Sequence, residues 1–279
     1  MFQENCSDPF MSLKTLIGDY PVTKQFRTRR DRFEFAQFQG SVATMFKRVV
    51  RNLEFDVAEM AIMTFLVAKA FDKPYRLLPF VVMARYQHPY LVTNKSLAPK
   101  DLEGKRVGVR SYSVTTGAWI RGILAEDYGV DLSRIHWITF EEPHVAEFRD
   151  PPSVQRAPAG RDINAMLAAG ELDAAILGAV PTDPKLKPVI PDPEAAGKRW
   201  DEKHGAIQLN HLVGVKSTVS KAQADEIYAL LLESKKAAGD PPMLPHGLEA
   251  NRRNLEVAIE CAYKQNMIPR RFKVEELFE

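Results

Sequence analysis

Short apolar, β-prone runs alternate with helical patterns along most of this chain, and that alternation restricts its fold more than any other feature. Strand–helix–strand repeats build βαβ units and favour a mainly parallel sheet with helices on its faces. Leu13 to Ile17 is predicted as the first strand, ending in Gly18-Asp19-Tyr20-Pro21. Ser41 suits an N-cap for a helix through Leu53, because Val42, Met45, Phe46, Val49 and Val50 fall on one helical face. Phe55 to Ala58 is then a short strand with Glu59 and Met60 at its carboxyl end. A helix over Met63 to Phe71 and a strand over Tyr75 to Met83 follow.

Around Tyr90 to Asn94 the chain changes character, and Lys100 to Arg110 opens a second series. Strands over Lys105 to Val109, Ile135 to Thr139 and Ala174 to Leu177 alternate with helices over Thr115 to Tyr128 and Asp162 to Ala169. Pro181 to Pro193 holds five prolines. Proline fixes φ and lacks an N–H, so extended loop is expected there. Ile207 to Val215 is predicted as a strand returning to the first series, before helices over Val219 to Ala238 and Leu248 to Gln265 and a short terminal helix over Phe272 to Phe278. This order predicts an α/β protein of two lobes. Lobe 1 comprises residues 12–91 plus 206–279, and lobe 2, residues 92–205, is inserted in it. The carboxyl ends of both sheets then face a shared cleft, where open α/β sheets bind ligands.

The 279 residues are 45% hydrophobic and 27% charged, enough for two ordinary cores in one soluble chain. The 38 basic and 36 acidic residues are interspersed and leave a formal charge of +2, so no basic block supports nucleic-acid binding. Cys6 and Cys261 lie in no CxxC or His-Cys spacing, and two free thiols are expected in place of a disulfide framework or a structural zinc. Met1 to Ser12 carries no apolar run, which predicts a cytoplasmic protein without a membrane partner; Met11 is an alternative start.

Polar clusters after the predicted strands are the candidate site. In lobe 1 they are Asp19, Tyr20 and Thr23, then Glu59, then Arg85-Tyr86-Gln87-His88. Arginine offers a bidentate fork to a carboxylate, and histidine moves a proton near neutrality. In lobe 2 a strand ends in Arg110-Ser111-Tyr112-Ser113 and a helix begins near Thr115, so the unpaired N–H groups of that helix would favour an anion beside Thr115, Thr116 and Gly117. Trp119 and Arg121 follow in its first turns, and Trp119 also suits plain core packing. Asn210 and His211, on the returning strand, suit a position facing the cleft. Glu141, Glu142 and His144 could hold a divalent metal, but a solvated acidic loop is the simpler expectation, so no metal is predicted. No GxSxG, HExxH, GxGxxG or Walker pattern occurs, and neither a covalent hydrolase nor a nucleotide site is indicated.

These segments together resemble the 4,5-dihydroxyphthalate decarboxylase family, whose fold is that of type II periplasmic solute-binding proteins. Gly18-Asp19-Tyr20, Glu54 to Met60, and Tyr112 to Gly122 with Tyr112, Thr115, Trp119, Arg121 and Gly122 carry the likeness. Asp127 to Val130, Asn210-His211, Ile268-Pro269-Arg270 and Val274 to Phe278 continue it. Two places depart. Arg110-Ser111 stands where the family pattern has Pro-Glu, and the tail of the 139–152 loop lacks the Gly-rich form. The resemblance implies loss of CO2 from a hydroxylated, phthalate-like aromatic carboxylate without an organic cofactor; a solute-binding protein for such an anion is the alternative. It further implies a clamp for a second carboxylate, with Arg85 or Arg121 alongside Thr115 and Thr116, and an apolar wall such as Trp119 for the departing group. The proton donor would be His88 or His211, then Glu59, with Asp19, Tyr20, Ser111, Tyr112 and Asn210 as further contacts. Its partner would be the small aromatic acid, and a homo-oligomer is compatible with the pattern.

Overall fold

A computed structural model describes residues 12–279; Cys6, and Met11 as a start, lie outside the described residues. Four strands come first: β1 (Leu13–Leu16), β2 (Phe33–Phe35), β3 (Val57–Ala61) and β4 (Tyr75–Ala84). A second series follows: β5 (Leu91–Thr93), β6 (Arg106–Val109), β7 (His136–Thr139), β8 (Gln155–Arg156), β9 (Ala174–Ile176) and β10 (Lys187–Pro188). The last strand, β11 (Leu209–Lys216), returns to the first sheet. Among the described residues the strands form two sheets, ordered β2-β1-β3-β11-β4 and β10-β5-β9-β6-β7-β8.

The sheets are mixed, for a reason set by connectivity. β1, β2 and β3 pair in parallel, as do β9, β6, β7 and β8. β11 re-enters from the other lobe and slots antiparallel between β3 and β4. Where the chain crosses outward, β5 likewise runs antiparallel to β9.

The helices are α1 (Phe46–Asn52), α2 (Ile62–Ala70), α3 (Thr115–Tyr128), α4 (Ile163–Ala168), α5 (Pro193–His204), α6 (Lys221–Ala237) and α7 (Leu248–Lys264). Ser41 caps as expected, its hydroxyl accepting from Ala43 N–H, but the first turn is 3-10 and α1 itself starts at Phe46. Three expectations need correction. Glu59 lies inside β3, not in a loop after it, because the strand runs on to Ala61, where α2 begins. The proline-rich stretch ends in helix α5, since Pro193 occupies the first helical turn, where a missing N–H costs nothing. The terminal helix is a single 3-10 turn over Glu275–Phe278.

One apolar core runs through both lobes. Phe46, Ile62 and Leu66 of lobe 1 join Val107, Trp119, Ile120 and Leu124 of lobe 2, with Leu255 and Ile259 of α7 in the same cluster. α7 packs on both α2 and α3 and so ties the lobes together. A smaller core lies under α6 (Phe80, Ile227, Leu231) and another around α4 (Val92, Ile138, Met166).

Candidate active site

The carboxyl ends of β3, β4, β6, β7 and β9 converge on a cleft of about 500 Å³ between the two sheets. Arg85 follows β4, Arg110 follows β6, and Thr115 and Thr116 open α3; Asn210 and His211 come from β11. Adjacent residues of a regular strand point to opposite faces. Here the β4–β11 register shifts between Leu209 and Val213, and both Asn210 and His211 line the cleft.

Behind His211 lies a buried carboxylate. Glu59 has no exposed surface. Its Oε2 accepts from Gly18 N–H at 2.8 Å, and its Oε1 accepts from the Tyr20 hydroxyl at 2.8 Å and pairs with His211 Nδ1 at 2.5 Å. Register makes this pairing: β11 runs beside β3 with Val213 opposite Glu59 and His211 opposite Ala61. Burial and the neighbouring carboxylate push the Tyr20 hydroxyl far above its ordinary value of 10.0, so it remains a hydrogen-bond donor. Thr23 fixes the loop, its hydroxyl donating to Gly18 C=O at 2.7 Å and accepting from Tyr20 N–H at 3.0 Å. Gly18 permits the arrangement, because a Cβ there would meet the Tyr20 ring at 2.4 Å. A histidine whose Nδ1 is held by a carboxylate is oriented to work through Nε2.

A second imidazole stands nearby. His144 Nδ1 lies 2.8 Å from the Thr64 hydroxyl of α2, and Arg51 donates to the His144 carbonyl at 2.9 Å. Phe46 meets both rings edge-on, with centroids 5.5 Å from His144 and 5.3 Å from His211. Burial, with Arg110, Lys47 and Arg51 nearby, lowers the His144 pKa to about 3, so this ring is neutral.

The cleft favours an anion. Arg85 stacks over Tyr90 at 4.0 Å and donates to Gly178 C=O at 3.2 Å, while its Nε is buried without a partner among the described residues. Arg110 reaches Glu141 at only 3.4 Å. α3 carries no side-chain cap, so its first-turn N–H groups, those of Thr115 and Thr116 among them, have no capping acceptor. The Thr115 hydroxyl is itself engaged, accepting from Met63 N–H of α2 at 3.1 Å. Ala61, Met83, Val114, Ile176 and Leu177 supply the apolar surface.

The structure brings Arg85, Thr115, Thr116, Asn210 and His211 to this cleft, with Glu59 and Tyr20 directly behind. Asp19 is exposed beside an adjoining pocket that shares Ser41 and Met83 with the cleft. His88 is not among the lining residues: the 3-10 turn His88–Tyr90 buries it against α5, near Asp127 and Arg199, and burial lowers its pKa to about 4. Arg121 is fully buried, donating to Tyr112 C=O at 2.8 Å and Gln265 at 2.7 Å over the Tyr112 ring, so Tyr112 is its platform. Trp119 donates to Leu209 C=O at 2.8 Å and stacks edge-on with Trp200 away from the cleft. Ser111, next to Arg110 in sequence, is buried and does not line the cleft. The metal set does not assemble, since Glu142 pairs with Arg51, Glu141 with Arg110, and His144 with Thr64. Among the described residues no three metal-ligating groups come together. Sequence reasoning did not single out Thr44 or Thr64, and took Ser41 for a cap and Phe46 for core alone. The N-cap at Ser41 was the one legible sign that this segment starts a turn there.

No protein-family model matches the chain. Solved structures share its architecture at low identity. The aliphatic sulphonate binding protein SsuA from Escherichia coli superposes with a TM-score of 0.57 at 11% identity, covering 96% of this chain and 97% of that one. A protein from Archaeoglobus fulgidus gives 0.54 at 16% identity over 92% and 98%. Fold and cleft therefore give this chain the two-lobed architecture of the type II periplasmic-binding-protein fold. Sequence is more specific. A 4,5-dihydroxyphthalate decarboxylase of Comamonas testosteroni is 31% identical over 193 residues, 63% of this chain and 58% of that protein. Another from Pseudomonas putida is 30% identical over 172 residues, 56% of this chain and 67% of that protein. The chain belongs to the 4,5-dihydroxyphthalate decarboxylase family. It spans 58% of the length of the Comamonas relative.

Proposed function

We propose that the protein is a carboxy-lyase that removes CO2 from a hydroxylated, phthalate-like aromatic acid, with no organic cofactor, acting in the cytoplasm on a free small molecule. The observation that carries this reading is His211, held at Nδ1 by buried Glu59 while its ring faces an arginine-lined cleft. The two family relatives are decarboxylases of 4,5-dihydroxyphthalate, which supports the same chemistry.

In this reading Arg85, Arg110 and the N-terminus of α3 clamp the carboxylate that stays. The carboxylate that leaves lies against the apolar surface of Ala61, Met83 and Val114, where its charge is poorly solvated. A ring hydroxyl para to it feeds electron density to the carbon bearing it. His211 Nε2–H protonates that carbon, and the C–C bond to the carboxylate then breaks. Its electron pair restores the aromatic ring, CO2 departs, and His211 regains a proton from water. The balance is one aryl carboxylate plus one proton giving one arene plus CO2.

The test is His211→Asn, assayed with 4,5-dihydroxyphthalate for CO2 release and by calorimetry for binding. General acid catalysis contributes about 10²–10⁴ in rate. A loss of that size in kcat with binding retained is expected, and unchanged turnover removes His211 from the mechanism. Binding by the unaltered protein without CO2 from any hydroxylated aromatic acid would favour the solute-binding alternative.

A further inference from the structure

The reaction scheme uses one imidazole of the cleft and leaves the other idle. His144 lines the cleft without an acidic partner: its Nδ1 is taken by Thr64, and its Nε2 is buried without a hydrogen-bond partner among the described residues. Only 4% of the residue is exposed. A buried polar atom left unpaired is costly, and in a ligand cleft the ligand is the natural partner. The ring is also held rigidly. Arg51 fixes the backbone from below, Thr64 fixes one nitrogen, and Phe46 packs edge-on against it at 5.5 Å.

We propose that His144 Nε2 accepts a hydrogen bond from a ring hydroxyl of the ligand, and that this contact selects phenolic aromatic acids over unhydroxylated ones. The inference rests on the decarboxylase reading for its choice of aromatic acid, but it concerns recognition and not CO2 loss. Thr64 acts as a positioning residue: by accepting from Nδ1–H it sets the tautomer in which Nε2 is an acceptor. Nearby Arg110, Lys47 and Arg51 disfavour a proton on the ring and keep that lone pair free. His144 and His211 flank the same phenylalanine at similar distances, which lets one ring hold the hydroxyl while the other addresses the carbon losing CO2. A hydroxyl donating to a neutral imidazole also gains electron density, which the ring passes to the carbon to be protonated.

The experiment measures, by calorimetry, the dissociation constants of 4,5-dihydroxyphthalate and of phthalate with the unaltered protein, His144→Phe and Thr64→Val, with CO2 release recorded in parallel. The unaltered protein is expected to prefer the hydroxylated acid by about tenfold or more, the usual cost of leaving such a site unpaired. His144→Phe should bring the ratio near one by weakening 4,5-dihydroxyphthalate alone, and Thr64→Val should lower it partway without touching the ring. Equal weakening of both acids in His144→Phe would mean that Nε2 holds a carboxylate, and an unchanged ratio would mean that it holds nothing; either result overturns the proposal. If His144→Phe fails to fold, the ratio in Thr64→Val decides. Selectivity without CO2 release would sink the decarboxylase reading and leave this one standing, whereas CO2 release with an unchanged ratio would do the reverse.

Discussion

Replacing Glu59 with glutamine changes one oxygen to an amide nitrogen and leaves the shape intact, which makes it a sharp probe of the buried carboxylate. Gly18 N–H, the Tyr20 hydroxyl and His211 Nδ1 all converge on the two oxygens at 2.8, 2.8 and 2.5 Å. An amide offers one acceptor oxygen and one donor group. In either orientation a donor then faces a donor: Gly18 N–H in one, the Tyr20 and His211 pair in the other. Losing a buried hydrogen bond to a charged group costs about 1.5–3 kcal/mol, and the unpaired donor adds about 1. The expected loss is about 2.5–4 kcal/mol of stability, or a fall in Tm of roughly 5–16 °C for a chain of this size. The catalytic loss should be larger in proportion. Without the carboxylate His211 loses the partner that holds its Nδ1 and orients its ring, so kcat should drop about 10²-fold or more while KM, which the proposed Arg85 and Arg110 clamp would set, changes little. Differential scanning fluorimetry and a CO2 assay read both quantities. Unchanged Tm would refute the hydrogen-bond argument, and unchanged kcat would refute the role of the Glu59–His211 pair.

Two further outcomes are expected. His88 and His144 are buried neutral, with pKa values lowered from 6.5 to about 4 and about 3, so the unfolded chain binds more protons than the native one below pH 6.5. Their contribution is fully present above pH 6.5 and is lost as pH falls towards 4, by about 1 kcal/mol per pH unit for each. Urea unfolding at stepped pH should show this slope, and His88→Phe should flatten it by about half; an unaltered slope would contradict the assignment. Arg121→Lys should cost about 2–3 kcal/mol, because a lysine cannot both stack on Tyr112 and reach Tyr112 C=O and Gln265. Its affinity for the aromatic acid should stay unchanged, and a weakened affinity would return Arg121 to the cleft.

Much of the architecture was legible because period and punctuation are local properties. Thr115 to Tyr128 was delimited by its hydroxyl-rich start and by Gly129, which adopts the left-handed cap with φ 61°. The split into two series appeared as a change after Asn94, and β11 as an apolar run after the proline-rich stretch. Helix α5 was missed because its surrounding prolines suggested loop, and its stability comes from Trp200 packing on Trp119, a contact between distant segments. Asp192, with φ 44°, turns the chain into it.

Of the candidate site, the sequence by itself determined which loops could carry chemistry, since polar clusters directly after apolar strands mark strand carboxyl ends. It also marked the family, through segments spread over the whole chain. Only the tertiary structure decided which side chains turn inward. Arg121 lies six residues beyond Thr115, about 240° further round the helix, so one faces the cleft and the other is sealed beneath Tyr112 and Gln265. His88 and His211 look equivalent in sequence. The packing of α5 takes one away, while antiparallel insertion of β11 beside β3 places the other against Glu59. His144 was legible only as a metal candidate, because its partner Thr64 is 80 residues away in sequence. Such pairings depend on strand register and helix packing across the two lobes, quantities that no local pattern of residues encodes.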